Sequence, residues 1–115
     1  MRLGQARVEA RRTSVDFGTR GVGLEIGGDL LLVSTAVEKV ALDFNRPSRR
    51  WLDRLTVSEA KRHYADNQFD RGSMGPKIEA LVEFLEAGGR RGIVTSPTNI
   101  GRALAGETGT HMVPD

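Results

Sequence analysis

The stretch Asp29-Leu30-Leu31-Leu32-Val33-Ser34-Thr35 decides the fold class of this 115-residue chain. Its continuous apolar run ends in small polar residues, which is typical of a central parallel strand covered by other layers on both faces. Ligands of such sheets bind beyond the carboxyl ends of the strands. Thr35 is therefore a candidate for ligand contact, with simple backbone bonding as an equally good interpretation.

Outward from this strand, helix and strand patterns alternate, which predicts an α/β layer fold. A Thr-x-x-Glu capping box predicts a helix over residues 57–65, and apolar spacing after Pro76 predicts a second helix that ends at Gly88 and Gly89. Ser96 and Pro97 are expected to open a third, capped helix. The remaining predicted elements are short strands over residues 40–44, 91–95 and 109–114, and a turn over residues 45–48.

Composition limits the class of protein. The chain has 115 residues, no cysteine and a formal net charge of +2, so we expect one domain without disulfides or thiolate metal sites. Arginine clusters near residues 2–20 and 46–54 are interpreted as solvated faces rather than a nucleic-acid surface, because aromatic stacking partners are scarce. No apolar run approaches a membrane span and no signal-peptide core is evident, so a cytoplasmic protein is expected.

The hexapeptide Gly72-Ser73-Met74-Gly75-Pro76-Lys77 is the strongest functional motif. Backbone amides of a small-residue turn and an open helix start attract anions. A lysine in the first helical turn is disfavoured by the helix dipole unless an anion offsets it. The motif therefore predicts a phosphate site with Lys77 as its cation, whereas Met74 could equally fill the core.

Other chemistry is poorly supported. His63 and His111 lack a third residue at metal-ligand spacing, so we expect no metal site made by side chains. Ser58, Ser73 and Ser96 lack the context of a catalytic nucleophile. Gly18, Gly21 and Gly23 only imitate the glycine spacing of a dinucleotide-binding motif. An NAD-binding domain is therefore the weakest of the functional interpretations.

Several segments resemble carbamate kinase, a branch of the amino acid kinase family, in their residues, their order and their spacing. The resemblance covers residues 29–114 closely and is weaker upstream, where Asp16, residues 25–27 and Asp29 fit a helix that precedes the strand in that family. It implies a three-layer sandwich with a mainly parallel sheet, corresponding to the carboxyl-terminal lobe. The segments that carry it are residues 36–40, 55–60, 72–80 and 88–89, together with Gly109-Thr110 and Val113-Pro114.

The resemblance implies phosphoryl transfer between ATP and carbamate, or from carbamoyl phosphate to ADP in arginine metabolism, with Mg²⁺ accompanying the nucleotide in a homodimer. Lys77 would contact the nucleotide phosphates and act in catalysis. Asp16 aligns with a catalytic aspartate of the family, although capping a helix is the alternative that we favour slightly. The nucleotide-binding residues implied by position are Thr35, Ala36, Val37, Ser73, Met74 and Lys77.

One position departs from the family pattern. Val15 stands where the family has a lysine between two aspartates, and the loss of a cation there removes charge stabilisation from phosphoryl transfer. We expect a basic, glycine-rich segment over residues 1–28 and a nucleotide-binding lobe over residues 29–115. The hypothesis is a nucleotide-binding part that is inactive alone and takes carbamate only when a complementary lobe is supplied. The alternative is a non-catalytic nucleotide-binding or dimerisation module.

Overall fold

The computed structural model describes residues 12–16, 22–26, 29–43, 47–70 and 72–115. In these ranges six strands come first, followed by two helices, a further strand, a short helical segment and a last strand. The strands are β1 Arg12–Asp16, β2 Val22–Ile26, β3 Leu30–Ser34, β4 Val40–Leu42, β5 Arg50–Leu52, β6 Arg54–Thr56, β7 Arg91–Thr95 and β8 Thr110–Val113. The helices are α1 Val57–Ala65, α2 Met74–Glu86, a 3-10 turn Pro97–Asn99 and α3 Ile100–Leu104.

The main sheet has the strand order β1, β2, β3, β7, β8, β6. The central pair β3 and β7 is parallel, with Leu32 opposite Ile93, and β6 runs parallel to β8. Among the strands of the main sheet within residues 29–115, β7 and β8 form the antiparallel pair and the other two pairs are parallel, so this part of the sheet is mainly parallel. The two upstream strands extend it by antiparallel pairing. β4 and β5 form a separate antiparallel ribbon.

Two apolar clusters cover opposite faces of the sheet and make a three-layer α/β fold, as predicted. Side chains at alternate positions of a strand point to opposite faces. On one face Leu31, Val33 and Val94 pack with Ile78 and Leu81 of α2, in a cluster that also includes Val57 and Ala60 of α1. On the other face Leu30, Leu32 and Ile93 pack with Ala103 of α3.

The helix implied upstream of the central strand is not present in the described ranges. Arg12–Asp16 and Val22–Ile26 are strands, paired so that Asp16 lies opposite Val22. The expectation of a helix there was wrong because Val22–Ile26 pairs antiparallel with Leu30–Ser34, and this ladder overrides the conformation that its sequence suggested. Asp16 is thus the last residue of a strand and not the cap of a helix. The division of the chain at residue 28 stays a prediction.

Helix α1 spans Val57–Ala65, as the sequence predicts. Its capping box is complete: the Glu59 amide donates to Thr56 Oγ1 at 3.2 Å, and the Thr56 amide donates to Glu59 Oε1 at 2.9 Å. Two orphan donors of the first turn are satisfied by this exchange. None of the helices in the described ranges is long and apolar enough to cross a lipid bilayer.

Loss of the cap is expected to destabilise the chain measurably. Thr56→Ala removes the hydroxyl that accepts from the Glu59 amide, and such caps contribute about 0.5–2 kcal/mol to the free energy of unfolding. Thr98→Ala is the matched control, because Thr98 is exposed and its hydroxyl meets only Ser96 Oγ at 3.5 Å. Urea unfolding of both variants tests this, and an equal loss in the two would contradict it.

The third helical segment differs from its prediction. A 3-10 turn, Pro97–Asn99, precedes the five-residue α3, and the Ser96 side chain makes no capping bond to a backbone amide. Ser96 Oγ instead accepts from Asn99 Nδ2 at 2.8 Å. The Ser96 hydroxyl therefore accepts from the Asn99 side chain and not from the backbone amide that the predicted cap requires.

One buried hydroxyl fastens the ribbon to the main sheet. Thr110 on β8 is 1% exposed, and its Oγ1 accepts from the Val40 amide at 2.8 Å and donates to the Leu52 carbonyl at 2.5 Å. The two ribbon strands are thus held by the same atom. These two hydrogen bonds hold the ribbon, which forms part of the wall of the cavity beyond β3.

Candidate functional site

A cavity of about 830 Å³ lies beyond the carboxyl end of β3. This is the edge at which ligands bind in sheets with parallel central strands. Four segments build it: the residues after β3, the end of the ribbon strand β4, the loop between the first two helices, and the start of α2. The lining residues are Thr35, Ala36, Val37, Ala41, Asp43, Asp66, Asn67, Gln68, Phe69, Asp70, Ser73 and Met74.

The cavity brings together predicted site residues that are far apart in sequence. Thr35, Ala36 and Val37 line one part of it, and Ser73 and Met74 line another. The Thr35 amide also donates to the Thr95 carbonyl at 2.8 Å, which continues the parallel pairing past the end of the strand. Thr35 therefore makes the backbone bond considered for it and also lines the cavity, while its contact with a ligand stays a prediction.

Lys77 is half-buried in the first turn of α2 and is not itself a lining residue. It lies three residues after Met74, and residues three apart share a helix face. Among the described residues the other two lysines are ion-paired, Lys39 with Asp53 and Lys61 with Glu86, whereas no such pair involves Lys77. The Lys77 ammonium is thus a cation beside the cavity.

Asp16 lies at the same edge of the sheet as the cavity. β1 is two strands from β3, and the register places its residue Asp16 opposite Val22, next to the pair formed by Gly23 and Val33. Strands are spaced roughly 4.8 Å apart, which puts the two strand ends about 10 Å from each other. Its place in the topology is compatible with the predicted role, which stays a prediction.

The turn before α2 is organised around Asp70. The Ser73 and Gly75 amides donate to the Asp70 carbonyl at 3.1 and 2.7 Å, and the Gly72 amide donates to its carboxylate at 2.9 Å. These are amides that the sequence assigned to an anion. Because they already have an acceptor here, the positive charge of Lys77 is the clearer phosphate partner.

Asp70 also explains why residue 75 is glycine. A Cβ at Gly75 would lie 2.9 Å from the Asp70 carbonyl oxygen, too close for a non-bonded contact. The signal in the sequence is an aspartate followed two residues later by glycine, because aspartate side chains commonly accept from the backbone two residues on.

A second pair of side chains closes the cavity wall. The Asp43 amide donates to Gln68 Oε1 at 2.8 Å, and Gln68 Nε2 donates to Asp43 Oδ1 at 3.1 Å. Asp43 has a positive φ of 52°. Asn67, the lining residue next to Gln68, has a positive φ of 58°. Strained backbone of this kind is enriched at functional sites. Sequence reasoning missed this wall.

The charge of the wall limits what it can bind. Asp43, Asp66 and Asp70 all line the cavity, so this side repels phosphate and suits hydroxyl or amino donors of a ligand. Within the described ranges, no group of three or more His, Cys, Asp or Glu side chains is arranged to hold a metal ion. The favourable partner for an anionic end of a ligand is therefore Lys77 and not the aspartates.

Acid is expected to loosen the turn before α2. Bonds from the Gly72 amide and the Ser73 hydroxyl lower the pKa of Asp70 below its ordinary 3.8. A depressed pKa in the folded state adds stability above the ordinary value, and that stability is lost as pH falls through the lower one. Asp70→Asn should therefore lose less stability than the wild type between about pH 5 and about pH 3.

Urea unfolding at the two pH values measures this effect. Asp66→Asn removes one carboxylate from the same loop and serves as the control. Equal acid sensitivity of the wild type and Asp70→Asn would show that the Asp70 carboxylate does not contribute.

A sheet with helices on both faces and a cleft beyond its central strand defines an α/β protein of the ligand-binding type. The sequence model of the Amino acid kinase family matches residues 5–96. The chain belongs to that family. The match begins well upstream of residue 29 and includes the two antiparallel strands.

Relatives within this family are carbamate kinases and proteins like them. The chain is 42% identical over 98 residues to "Carbamate kinase-like protein YahI" of Escherichia coli, covering 85% of this chain and 31% of the relative. It is 39% identical over 98 residues to carbamate kinase of Thermococcus kodakarensis, with the same coverage of 85% and 31%. The chain thus spans about a third of the length of these curated relatives.

Solved structures agree with this placement. Carbamate kinase from Giardia lamblia bound to AMP-PNP superposes with a TM-score of 0.72 at 36% identity, covering 76% of this chain and 28% of that chain. A structure from Aeropyrum pernix superposes with a TM-score of 0.69, also at 36% identity and covering 76% and 28%. The resemblance to carbamate kinase and the α/β sandwich architecture inferred from the sequence are both confirmed.

Proposed function

We propose that this chain is the nucleotide-binding part of a carbamate kinase-like protein, binding ATP and ADP in the cavity beyond β3. The observation that carries the proposal is the meeting of residues 35–37 with Ser73 and Met74 in one cavity, with Lys77 on the adjoining helix face. These are the positions that the resemblance implies for the nucleotide. The Giardia relative bound to AMP-PNP supports the same ligand class.

The arrangement suggests how the nucleotide would be oriented. Lys77 would hold the phosphates by charge, because a lysine near a helix start serves as a point charge for phosphate. The acidic wall of Asp43, Asp66 and Asp70 suits the hydroxyl and amino groups of the nucleoside. Mg²⁺ would enter with the nucleotide and neutralise charge on its phosphates. Ser73 and Met74 would shape the pocket between these two ends.

Phosphoryl transfer between ATP and carbamate is the reaction proposed for the complete protein, in arginine metabolism and in the cytoplasm. The chain spans about a third of its relatives, so the groups on the acceptor side would come from a complementary lobe. Val15 stands in place of the lysine expected beside Asp16. Alone, the chain would bind nucleotide without turnover, and we expect it to self-associate as a homo-oligomer without nucleic acid or membrane partners.

Calorimetric titration with ADP, ATP and NAD tests the binding. We expect ADP and ATP to bind and NAD to bind weakly or not at all. A preference for NAD, or no binding of any of the three, would overturn the proposal.

A coupled assay of ATP formation from carbamoyl phosphate and ADP tests the separation of binding from catalysis. We expect no product from the purified chain. Detectable ATP formation would refute inactivity, whereas binding without turnover also fits the alternative of a non-catalytic module. Restoration of turnover by an added amino-terminal lobe would then favour the kinase.

A further inference from the structure

Trp51 lies on the cavity side of the ribbon formed by β4 and β5. In the antiparallel register Trp51 is directly opposite Ala41, and residues directly opposite each other project to the same face. Ala41 is part of the cavity wall. The other two pairs of the ribbon, which include Val40 and Leu42 of the core cluster, project to the opposite face. Trp51 is not itself a lining residue; the register places its indole on the ribbon face that continues outward from the cavity wall at Ala41.

This indole is both accessible and supported. It is 43% exposed, the only large hydrophobic side chain in the described ranges that is exposed to this degree. The Arg49 guanidinium lies over the ring, 5.2 Å from its centroid, in cation–π geometry. A supported aromatic ring loses little conformational entropy when a flat ligand group packs on it. The ribbon itself is held by the buried hydroxyl of Thr110.

Other described aromatic side chains near the cavity are committed to packing. Phe69 lines the cavity but is 4% exposed and meets the His63 ring edge-on at 6.5 Å between centroids. Tyr64 donates its hydroxyl to Glu79 at 2.7 Å on the outer helices. Trp51 is thus the described aromatic group placed to receive a ring at the mouth of the cavity.

We infer that Trp51 is the stacking surface for the base of the bound nucleotide, an inference that rests on the proposed function. Lys77 at the start of α2 takes the phosphates, and Trp51 on the ribbon takes the aromatic end. The aspartate-lined wall lies between the two segments and faces the sugar. Bases stack on indole through their π faces, which gives affinity for a purine ring with little discrimination by hydrogen bonding.

The chain contains a single tryptophan, so its fluorescence reports on this position alone. ADP should change the tryptophan emission of the full chain with the same apparent Kd that calorimetry gives. Inorganic tripolyphosphate, which has no base, should bind at the phosphate end without changing the emission. These two ligands separate stacking from phosphate contact.

Substitution of the indole gives the second measurement. Trp51→Ala should raise the Kd for ADP roughly 5- to 150-fold, as expected for removal of one base-stacking side chain. Trp51→Phe, which keeps a smaller ring, should fall between the wild type and Trp51→Ala, and neither change should affect tripolyphosphate. Arg50→Gln is the matched control, since Arg50 is exposed, next in sequence and on the opposite face of the ribbon.

The outcomes are distinguishable. If ADP binds the wild type and Trp51→Ala equally and leaves the emission unchanged, the stacking role is overturned while nucleotide binding stands. If ADP does not bind the wild type at all, both proposals fail. Circular dichroism of each variant checks that the fold is retained, and Trp51→Phe keeps the test valid if Trp51→Ala does not fold.

Discussion

Lys77→Met is expected to weaken ADP binding roughly 10- to 150-fold, the equivalent of about 1.5–3 kcal/mol for a hydrogen bond to a charged group. Methionine keeps most of the aliphatic length of lysine in a half-buried position of α2 and removes only the charge. The effect should be large because three aspartates line the cavity and offer phosphate no favourable partner. Calorimetric titration with ADP measures this change in Kd.

Lys61→Met is the matched control for this substitution. Lys61 is also a helical lysine, but it is exposed and lies on α1, where its ammonium is paired with Glu86. ADP affinity should change less than about twofold, because a screened surface charge contributes little at a distance. Adenosine, which lacks phosphate, should bind the wild type and Lys77→Met alike. Unchanged ADP affinity in Lys77→Met would show that Lys77 is not a phosphate ligand.

The second large effect is on stability, at Gly109. Gly109 has a φ of +85°, and a Cβ there would lie 2.8 Å from the Val94 carbonyl oxygen of the neighbouring strand. A left-handed conformation costs a non-glycine residue about 1–2 kcal/mol, and overpacking against backbone adds about 1–3 kcal/mol. We therefore expect Gly109→Ala to lower the free energy of unfolding by about 2–5 kcal/mol, measured by urea unfolding.

Gly106→Ala separates the two causes. Gly106 has a φ of +83°, nearly the same as Gly109, but nothing lies within 4 Å of a Cβ built there. Only the conformational cost applies, so the loss should be about 1 kcal/mol after the gain in unfolded-state entropy is subtracted. If the two variants lose the same stability, the approach of residue 109 to the Val94 carbonyl is not the cause.

Much of the lobe after residue 29 could be predicted because its signals are local. A run of four apolar residues, Leu30 to Val33, marked the central strand, and the capping box at Thr56 and Glu59 marked α1 with its observed bounds. The two strands before residue 29 could not be predicted in this way. Glycines and charged residues obscure their alternation, and their conformation comes from antiparallel pairing with each other and with the next strand, Leu30–Ser34.

The residues of the candidate site also differ in whether the sequence alone could predict them. Residues 35–37, Ser73 and Met74 could be named because they stand in recognisable motifs at the ends of regular elements. The bond between Asp43 and Gln68 could not, since it joins side chains 25 residues apart and depends on the positive φ of Asp43. Trp51 was missed for a similar reason: only the ribbon register shows which face it shares with Ala41.

The hydrogen bonds of Thr110 to the ribbon determine whether the pocket can be transferred to another protein as one short segment. The cavity-lining residues in the described part of the chain all fall between positions 35 and 74. The hydroxyl that holds the β4 and β5 strands belongs to a residue 70 positions after Val40 and 58 after Leu52. A segment grafted into another scaffold with the lining residues alone would leave that fastening behind. The smallest transplantable pocket must therefore extend as far as β8.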